Sequence, residues 1–315
     1  IICIVSSPVY GMDLAKLLSH EDTAMYQAER AGKNQIAHDS KELDEIVRRR
    51  TQVERALRKG DLENEFTLLY QPYYDRDGKV IKGVEALLRW DSPKLGKVTP
   101  SEFIPISEQI GLFGTIDRWV IKQAFIDFQQ LQSCFDSPIQ LSINLSSAEL
   151  DSLQLAADIQ SLMELYPVQP HLIDFEITET FASDSQSYLL LHELAQMGFK
   201  LTIDDFGSGY TSITQLVEYP VQKIKFDREF LETLIKTNNH QVVKPLVDLC
   251  HSQSMMVTAE GIESEEMHRW LADNKCDYMQ GYHLSPPLSL SQLSFVHIDP
   301  KGNLNVGEDG YCSFA

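Results

Sequence analysis

The sequence predicts an α/β fold, a TIM-like (β/α)8 barrel in which one strand runs antiparallel to the others. Apolar, strand-like segments alternate with helical patterns along most of the chain. Seven of these segments end in a carboxylate, an amide or a cation, as LTIDDFGSGY does at residues 201–210. Strands with polar ends, repeated this often, are how a barrel builds a site at the C-terminal mouth of its strands.

The reversed strand is predicted from the first pair of strands. FTLLYQPYY, from residue 66, is followed by the turn DRDGK and then by VIKGVEALLRW. A parallel pair needs a crossover of about a dozen residues, and this turn is much shorter. The two strands must therefore be antiparallel.

The remaining elements follow in alternation. Helices are predicted at 101–110, 115–133, 148–165, 186–197, 211–218, 228–236, 240–254, 264–273 and 289–295. Strands are predicted near 139–146, 172–179, 200–206, 223–227, 256–262 and 278–283. VHIDPKGNLNV then predicts a hairpin, which places a C-terminal hairpin and tail at 298–315 after a barrel domain at 61–297.

Two segments precede the barrel. Residues 1–37 contain a strand, IICIVSS, and an amphipathic helix, and they are too few to bury a core of their own. Residues 38–60 predict a linker helix, with Ile46, Val53 and Leu57 at helical spacing. We interpret the arginines at 48–50 as a solvated face of that helix rather than a phosphate contact.

Composition limits the partners. The formal net charge is −19, so binding to a nucleic acid polymer is not expected, and an anionic substrate would need bound cations. The five cysteines have neither zinc-site spacing nor a disulfide pattern, which favours a cytoplasmic location. No apolar run reaches the roughly 20 residues of a membrane span. Because the chain begins at Ile1, we expect a longer protein, and a membrane tether in its missing part stays open.

Strand parity predicts which polar side chains converge. Alternate residues of a strand point to opposite faces, and the apolar face must pack against the outer helices. The other face then points to the barrel axis and collects polar side chains: Glu85, Asn144, Glu176, Asp204, Lys225 and Glu260.

A divalent cation would neutralise the repulsion within that group of carboxylates. Carboxylates a few ångströms apart repel one another, and burial raises their pKa. An all-oxygen donor set without His or Cys suits Mg²⁺ or Mn²⁺ rather than zinc. The adjacent Asp204 and Asp205 can serve two ions, with Asp204 bridging, which is an arrangement used for displacement at phosphorus.

Simpler interpretations stay open for single residues. A strand-end carboxylate taken alone is usually a helix cap or a surface residue. Lys225 could be only a salt-bridge partner of Glu176 or Glu260. The glycines after Asp205 lack the third glycine of a dinucleotide-binding loop, which Ser212 replaces, and the histidines show no metalloprotease spacing.

From about residue 60 to 297 the chain resembles the EAL domain, the cyclic di-GMP phosphodiesterase family. The matching motifs are YQP (70–72), EALLRW (85–90), INLS (143–146), FEITET (175–180), DDFGSGYTS (204–212), KIKFD (223–227), AEGIE (259–263) and QGYHLSPPL (280–288). Residues 1–37 resemble the end of a GGDEF domain, whose active-site loop is absent, so no cyclase activity is expected. Gln222 replaces the usual Asp and Phe226 the usual Ile, which bears on packing or dimer contacts more than on chemistry.

The resemblance implies a role for each matching position. Metal ligands would be Glu85, Asn144, Glu176, Asp204 and Asp205. Catalytic residues would be Lys225, which orients the attacking water, Glu260, which acts as base or completes the second metal's shell, and Glu179, which holds the loop after Asp205. Substrate-binding or supporting residues would be Gln71, Leu87, Arg89, Glu263 and Gln280. The resemblance also implies upstream GGDEF or sensor domains and a homodimer.

Three functions follow from these observations. The favoured one is hydrolysis of cyclic di-GMP to linear pGpG, using Mg²⁺ or Mn²⁺, by in-line attack of water on phosphorus. The alternative is a catalytically silent cyclic di-GMP receptor that signals through its N-terminal helix. A third is another carboxylate-rich barrel enzyme such as a glycosidase, which needs no metal.

Overall fold

The computed structural model describes residues 2–4, 36–38, 41–146, 154–178, 185–207, 218–294, 296–298 and 304–306. The chain divides into two compact units, one of Ile1–Asp61 with Asp91–Leu112 and one of Leu62–Trp90 with Phe113–Ala315. Among the described residues, no helix combines the length and the hydropathy that crossing a bilayer requires.

The secondary structure alternates strands and helices. The strands are β1 (Ile2–Ile4), β2 (Ile36–His38), β3 (Phe66–Asp75), β4 (Ile81–Ser92), β5 (Gly96–Val98), β6 (Gln140–Leu145), β7 (Ile173–Thr178), β8 (Lys200–Phe206), β9 (Lys223–Phe226), β10 (Met256–Ala259), β11 (Tyr278–Met279), β12 (Val296–Ile298) and β13 (Leu304–Val306). The α-helices are α1 (Lys41–Lys59), α2 (Leu62–Glu65), α3 (Pro100–Gln109), α4 (Phe113–Ser133), α5 (Gln154–Leu165), α6 (Ser185–Gln196), α7 (Arg228–Lys236), α8 (Val243–Ser252), α9 (Glu265–Asp273) and α10 (Leu290–Leu293).

Eight strands close into a barrel in the second unit. Their order is β3, β11, β10, β9, β8, β7, β6 and β4, and the pairing of β3 with β4 closes the ring. β3 is antiparallel to both of its neighbours, whereas the other pairs around the ring are parallel. The predicted TIM-like barrel with one reversed strand is therefore confirmed.

Alternate strand residues form the layer between the barrel and its helices. The apolar strand side chains that are at most 1% exposed include Val84, Leu141, Ile143, Phe175, Ile177, Leu201, Ile203, Ile224, Phe226 and Val257. Helix α4 covers part of this layer through a buried stripe at three- and four-residue spacing, namely Ile116, Val120, Ala124, Phe128 and Leu131. Full burial of one such side chain contributes about 1.5–3 kcal/mol to the free energy of folding. A slip of one residue would expose all of them, so burial determines which side chains of each strand face the helices.

The polar parity points inward, as expected, and forms two layers. In the lower layer, Lys223 Nζ lies 2.5 Å from Asp174 Oδ2, and the Thr202 hydroxyl donates to the same carboxylate at 2.7 Å. The Lys223 ammonium also lies 4.7 Å from the centre of the Tyr73 ring. Lys223, Asp174 and Thr202 pair with one another and form a floor beneath the upper layer, a role that could not be assigned from the sequence.

In the first unit, helix α1 packs on helix α3. Val53 and Leu57 are buried, whereas Ile46 is 51% exposed. Arg49 donates to both carboxylate oxygens of Glu102, at 2.6 and 3.1 Å. The interpretation of the arginines as a purely solvated face is thus wrong for Arg49, because its planar guanidinium matches a carboxylate on the neighbouring helix.

Some predicted elements differ in extent or fall outside the described residues. The predicted helix at 240–254 is a 3-10 turn (His240–Val242) followed by α8, and the strands predicted to end at 262 and 283 end at Ala259 and Met279. β12 and β13 pair as an antiparallel hairpin. The helix of residues 1–37 and most of the helix predicted at 211–218 lie outside the described residues.

Candidate active site

Five charged side chains meet at the C-terminal mouth of the barrel, with Lys225 in the middle. Its Nζ atom lies 2.7 Å from Glu176 Oε2, 2.6 Å from Glu260 Oε1, 3.2 Å from Glu85 Oε2 and 3.3 Å from Asp204 Oδ1. Each comes from a different strand or strand end, because β4, β7, β8, β9 and β10 all finish at this mouth. The predicted convergence is therefore present in the structure.

The cluster holds more negative charge than its one lysine offsets. Burial raises the pKa of Glu176 to about 8, with the Glu85 and Asp204 charges adding to the shift and Lys225 opposing it. Burial likewise raises the pKa of Asp204 and, strongly, that of Glu260. Burial would also raise the pKa of Glu85, but Lys225 and hydrogen bonds outweigh it and that pKa is lowered. The site therefore has a strong demand for further positive charge.

The carboxylates form two overlapping triads. Glu85, Glu176 and Asp204 each bring one oxygen within 4.8 Å of the others, and so do Asp204, Asp205 and Glu260. Asp204 belongs to both groups. Each of these two overlapping sets of hard oxygen donors could hold a metal ion.

A break in the strand brings Asp205 to the site. Strict alternation puts Asp205 on the opposite face from Asp204. The register of β8 against β9 shifts between Ile203 and Phe206, and Asp205 has a φ of 55°. Left-handed backbone is uncommon for a residue other than glycine, and such strain concentrates at functional sites. Its amide N–H donates to Asp204 Oδ1 at 2.9 Å, and burial, followed by the charge of Asp204, raises the pKa of Asp205 to about 6.

Amide side chains surround the carboxylates. Asn144 Nδ2 donates to Glu85 Oε1 at 2.8 Å, which leaves the amide oxygen of Asn144 as a potential ligand. Gln280 Nε2 donates to Glu85 Oε2 at 2.7 Å, and the Gln280 Oε1 atom is buried with no hydrogen-bond partner among the described residues. Gln71 donates to the carbonyl of Ser285 at 3.1 Å. A buried, unpartnered acceptor beside buried carboxylates is a further sign that the site suits a cation.

A cavity of about 270 Å³ opens above the charged cluster. Its lining residues are Gln71, Glu85, Leu87, Asp204, Lys225, Arg228, Glu260, Gly261, Glu263, Gln280, Gly281 and Tyr282. Glu263, at the rim, forms an ion pair with Arg228, whose Nη1 lies 2.6 Å from Glu263 Oε1. Tyr282 is 66% exposed, so its ring is accessible at the rim. The sequence analysis did not predict Arg228 or Tyr282 as site residues, because it relied on strand positions and neither lies on a strand. Tyr282 does belong to the QGY motif that matches the family.

Two glycines shape this rim. A Cβ atom at Gly281 would lie 2.2 Å from the backbone N and O of Ile262, so the two segments approach more closely than any side chain permits. Gly261 has a φ of 63°, which glycine adopts without steric cost. These features explain why the strands end early: the chain turns after Ala259 and Met279 to build the rim.

Two predicted residues need separate mention. Arg89 donates to the carbonyl of Leu88 and does not line the described cavity, although it is close enough for the charge of Glu85 to act on it. Burial lowers the pKa of Arg89. Glu179 lies outside the described residues, so its predicted position beside the loop after Asp205 stays a prediction.

The fold and the site define a (β/α)8 barrel with one reversed strand and a carboxylate cluster at its C-terminal mouth. The EAL domain family matches residues 51–287, and the chain belongs to this family. The predicted family is thus confirmed.

The relatives carry related names. The chain is 61% identical over 310 residues to the biofilm architecture maintenance protein MbaA of Vibrio cholerae, across 98% of the chain and 39% of MbaA. It is 30% identical over 290 residues to the cyclic di-GMP phosphodiesterase PdeR of Escherichia coli, across 90% of the chain and 43% of PdeR. The structure of the PaMucR phosphodiesterase in complex with c-di-GMP aligns with a TM-score of 0.73 and 30% identity, across 77% of this chain and 99% of that one. The chain spans about two fifths of the length of these two curated relatives.

Proposed function

We propose that this chain is a metal-dependent phosphodiesterase that hydrolyses cyclic di-GMP to linear pGpG. The observation that carries the proposal is the pair of carboxylate triads that share Asp204 at the mouth of an EAL barrel. The cyclic di-GMP complex of PaMucR and the activity in the name of PdeR support the choice of substrate.

The charge of the cavity also supports a cation-dependent reaction. Its lining includes four carboxylates, on Glu85, Asp204, Glu260 and Glu263, and two cations, on Lys225 and Arg228. A substrate with two phosphodiester charges would be repelled by this surface unless bound cations reversed its sign. Glu85, Asn144, Glu176 and Asp204 would hold one ion, and Asp204 and Asp205 the other. Bound there, Mg²⁺ or Mn²⁺ would polarise the phosphate and make water more acidic.

The protein side chains would position and deprotonate the attacking water. Lys225 would donate a hydrogen bond to it from Nζ, and Glu260, 2.6 Å from that ammonium, would accept its proton. Burial raises the pKa of Glu260, so Glu260 would accept this proton only once cations bound beside it hold it in the ionised form. A bond forms between the water oxygen and phosphorus while the bond from phosphorus to the 3′ oxygen breaks, and the 3′ oxygen takes up a proton.

The rim would hold the dinucleotide. Tyr282 offers an exposed ring on which a guanine base would stack, and Leu87 offers apolar surface at the cavity wall. Glu263 would accept a hydrogen bond from a guanine amino group, and Gln71 and Gln280 would keep the carboxylate of Glu85 and the sugar-phosphate in place.

Two further predicted residues would act on the phosphate and on the loop. Arg89 would contact a phosphate on rotating away from its present bond to Leu88. Glu179 would hold the loop after Asp205.

A receptor that binds cyclic di-GMP without cutting it is the second candidate. Lys225 contacts four carboxylates at once, and in a receptor it would neutralise the cluster without metal. Incubation with cyclic di-GMP and Mg²⁺ or Mn²⁺, followed by chromatography, separates the two. Formation of pGpG that stops with EDTA supports the enzyme. Tight binding without product supports the receptor, and activity that survives EDTA would overturn the metal-dependent mechanism.

We further propose that the chain acts in the cytoplasm as one part of a longer signalling protein. Residues 1–37 would complete a GGDEF domain, residues 38–60 would connect it to the EAL domain at 61–297, and 298–315 would contribute the rest of the C-terminal hairpin, whose first strand begins at Val296, and the tail. A homodimer is proposed with it. Size-exclusion chromatography with light scattering would test the dimer, and a monomer at all protein concentrations would refute it.

A further inference from the structure

A second cluster of metal-ligating side chains lies outside the carboxylate site. Glu265, His268 and His283 each bring one ligand atom within 4.8 Å of the others. Glu265 and His283 are exposed and His268 is half-buried, so an ion from solution can reach all three. Glu265 Oε2 already lies 3.2 Å from His283 Nε2.

Hydrogen bonds of the backbone hold the segments that carry Glu265, His268 and His283. Glu265 and His268 stand three residues apart at the start of α9, which puts them on one face of the helix. Ser264 caps this helix by accepting from the amide of Met267. The amide of His283 donates to the carbonyl of Ile262 at 2.9 Å, which holds the third residue against the segment that leads into the helix.

The tautomer of His268 suits metal binding. Its Nε2 atom lies 2.9 Å from the carbonyl oxygen of Arg76, and because a carbonyl only accepts, Nε2 carries the hydrogen. The lone pair is then on Nδ1. Histidines that bind metals ordinarily donate their other ring N–H to a carbonyl or carboxylate in this way, which orients the ring. A Cβ atom at Gly78 would lie 2.8 Å from His268 Cε1, so this glycine leaves room for the ring.

We propose that Glu265, His268 and His283 form a zinc-binding site. Two imidazoles and one carboxylate, with a fourth position open to water, are a donor set that Zn²⁺ takes up. The all-oxygen carboxylate site prefers Mg²⁺ or Mn²⁺, so the two sites differ in ligand chemistry. An ion bound here would join the start of α9 to the segment after β11 that carries Gln280 and Tyr282.

Zinc binding in the presence of excess Mg²⁺, which occupies the carboxylate site, tests the proposal. Zn²⁺ affinity is measured by competition with a chromogenic chelator for the unmodified chain and for His268→Gln, His283→Gln and Glu265→Gln. His171→Gln is the control, because His171 is also exposed but far from these residues in the sequence. Each ligand variant should lose at least about 10-fold in affinity, because loss of an outer-shell partner alone costs about 10–100-fold, whereas the control should not. Circular dichroism checks that every variant is folded.

Cobalt gives an independent measurement. Co²⁺ bound to two histidines and a carboxylate should show intense visible d–d bands that His283→Gln removes and His171→Gln keeps. Equal zinc affinity in the unmodified chain and all three ligand variants would overturn the proposal. Zinc binding that is lost only in Asp204→Asn would also overturn it, because the ion would then occupy the carboxylate site.

Discussion

The ammonium nitrogen of Lys225 lies 2.6 Å from the carboxylate of Glu260, at the end of the neighbouring strand in the barrel. Burial alone would lower the pKa of Lys225, yet Asp204, Glu176, Glu260 and Glu85 raise it well above its ordinary value. Lys225 is therefore a fixed positive charge in a cluster with an excess of carboxylates. How that excess is neutralised decides the chemistry of the site.

Removing a carboxylate of the cluster should remove turnover. Glu85→Gln and Asp204→Asn keep the shape of the side chains but delete one charged donor. We expect a loss of at least about 100-fold in kcat and weaker Mn²⁺ affinity. The control is Asp248→Asn, an exposed carboxylate paired with Lys244 on α8. Turnover is followed by chromatography of pGpG, and equal rates in Asp204→Asn and Asp248→Asn would contradict the assigned role.

Removing the lysine should destabilise the metal-free protein. Lys225→Met leaves buried carboxylates without their counter-ion, which costs about 3–5 kcal/mol in the free energy of unfolding. Divalent metal should raise the melting temperature of this variant more than that of the unmodified chain, while cyclic di-GMP binding persists and hydrolysis slows. Urea unfolding with and without Mn²⁺ measures the first effect. Unchanged hydrolysis in Lys225→Met would show that its proposed catalytic role is wrong.

Stability without metal should fall as pH rises. Glu176 has a pKa of about 8 in the folded chain against 4.5 ordinarily, so between these values the folded state holds a proton that the unfolded state has released. The free energy of unfolding then decreases with rising pH across this window. Asp205, at about 6, adds a decrease in the lower part of it. The lowered pKa of Glu85 has the opposite sign but acts below about 4.5.

Urea unfolding in EDTA from about pH 5 to about pH 8 measures this slope. The matched variant is Glu176→Gln, which cannot titrate and should flatten the curve. A slope that is the same in both proteins would contradict the shift assigned to Glu176.

Removing the exposed ring at the cavity rim should weaken substrate binding without affecting the chemistry. Tyr282→Ala loses a stacking surface that is worth about 1–3 kcal/mol per base, which is roughly 5- to 150-fold in affinity. We expect the KM for cyclic di-GMP to rise while kcat stays near its original value. Tyr188→Ala, at another exposed tyrosine on α6, is the control. An unchanged KM in Tyr282→Ala would exclude stacking on this ring.

A methyl group at Gly281 should displace the rim. The added Cβ would collide with the backbone of Ile262, which cannot move as a flexible side chain does. Gly281→Ala should lower the free energy of unfolding by about 1–3 kcal/mol and raise KM. Gly96→Ala is the comparison, since no atom lies within 4 Å of a Cβ there and only its positive φ is strained. Equal effects of the two substitutions would show that the close approach is unimportant.

Strand parity accounts for most of what could be predicted. Side chains alternate with a period of two, so Glu85, Glu176, Asp204 and Lys225 could be assigned to the barrel interior from their positions alone. The short turn between β3 and β4 fixed the one reversed strand. Both inferences rest on local backbone geometry, which holds wherever the strand stays regular.

What could not be predicted depends on departures from regular geometry or on distant partners. Asp205 was predicted as a ligand from its position next to Asp204, but parity placed it on the opposite face, and the register shift and left-handed φ that bring it to the second triad could not be read from the sequence. Tyr282 and Arg228 act from the rim, where periodicity carries no information. Arg49 lies in a charged stretch that is typical of an exposed helix face. Its bond to Glu102 exists because α3 packs against α1, and Glu102 is 53 residues further along the chain, so the local sequence does not reveal it.

The anomalous difference map of a crystal soaked in Mn²⁺ would show directly whether the carboxylate cluster binds two cations. We expect two peaks about 3.5–4 Å apart, with Asp204 between them and Glu85, Glu176 and Asp205 around them. An empty carboxylate cluster at saturating Mn²⁺, with Lys225 still in contact with all four carboxylates, would contradict this expectation.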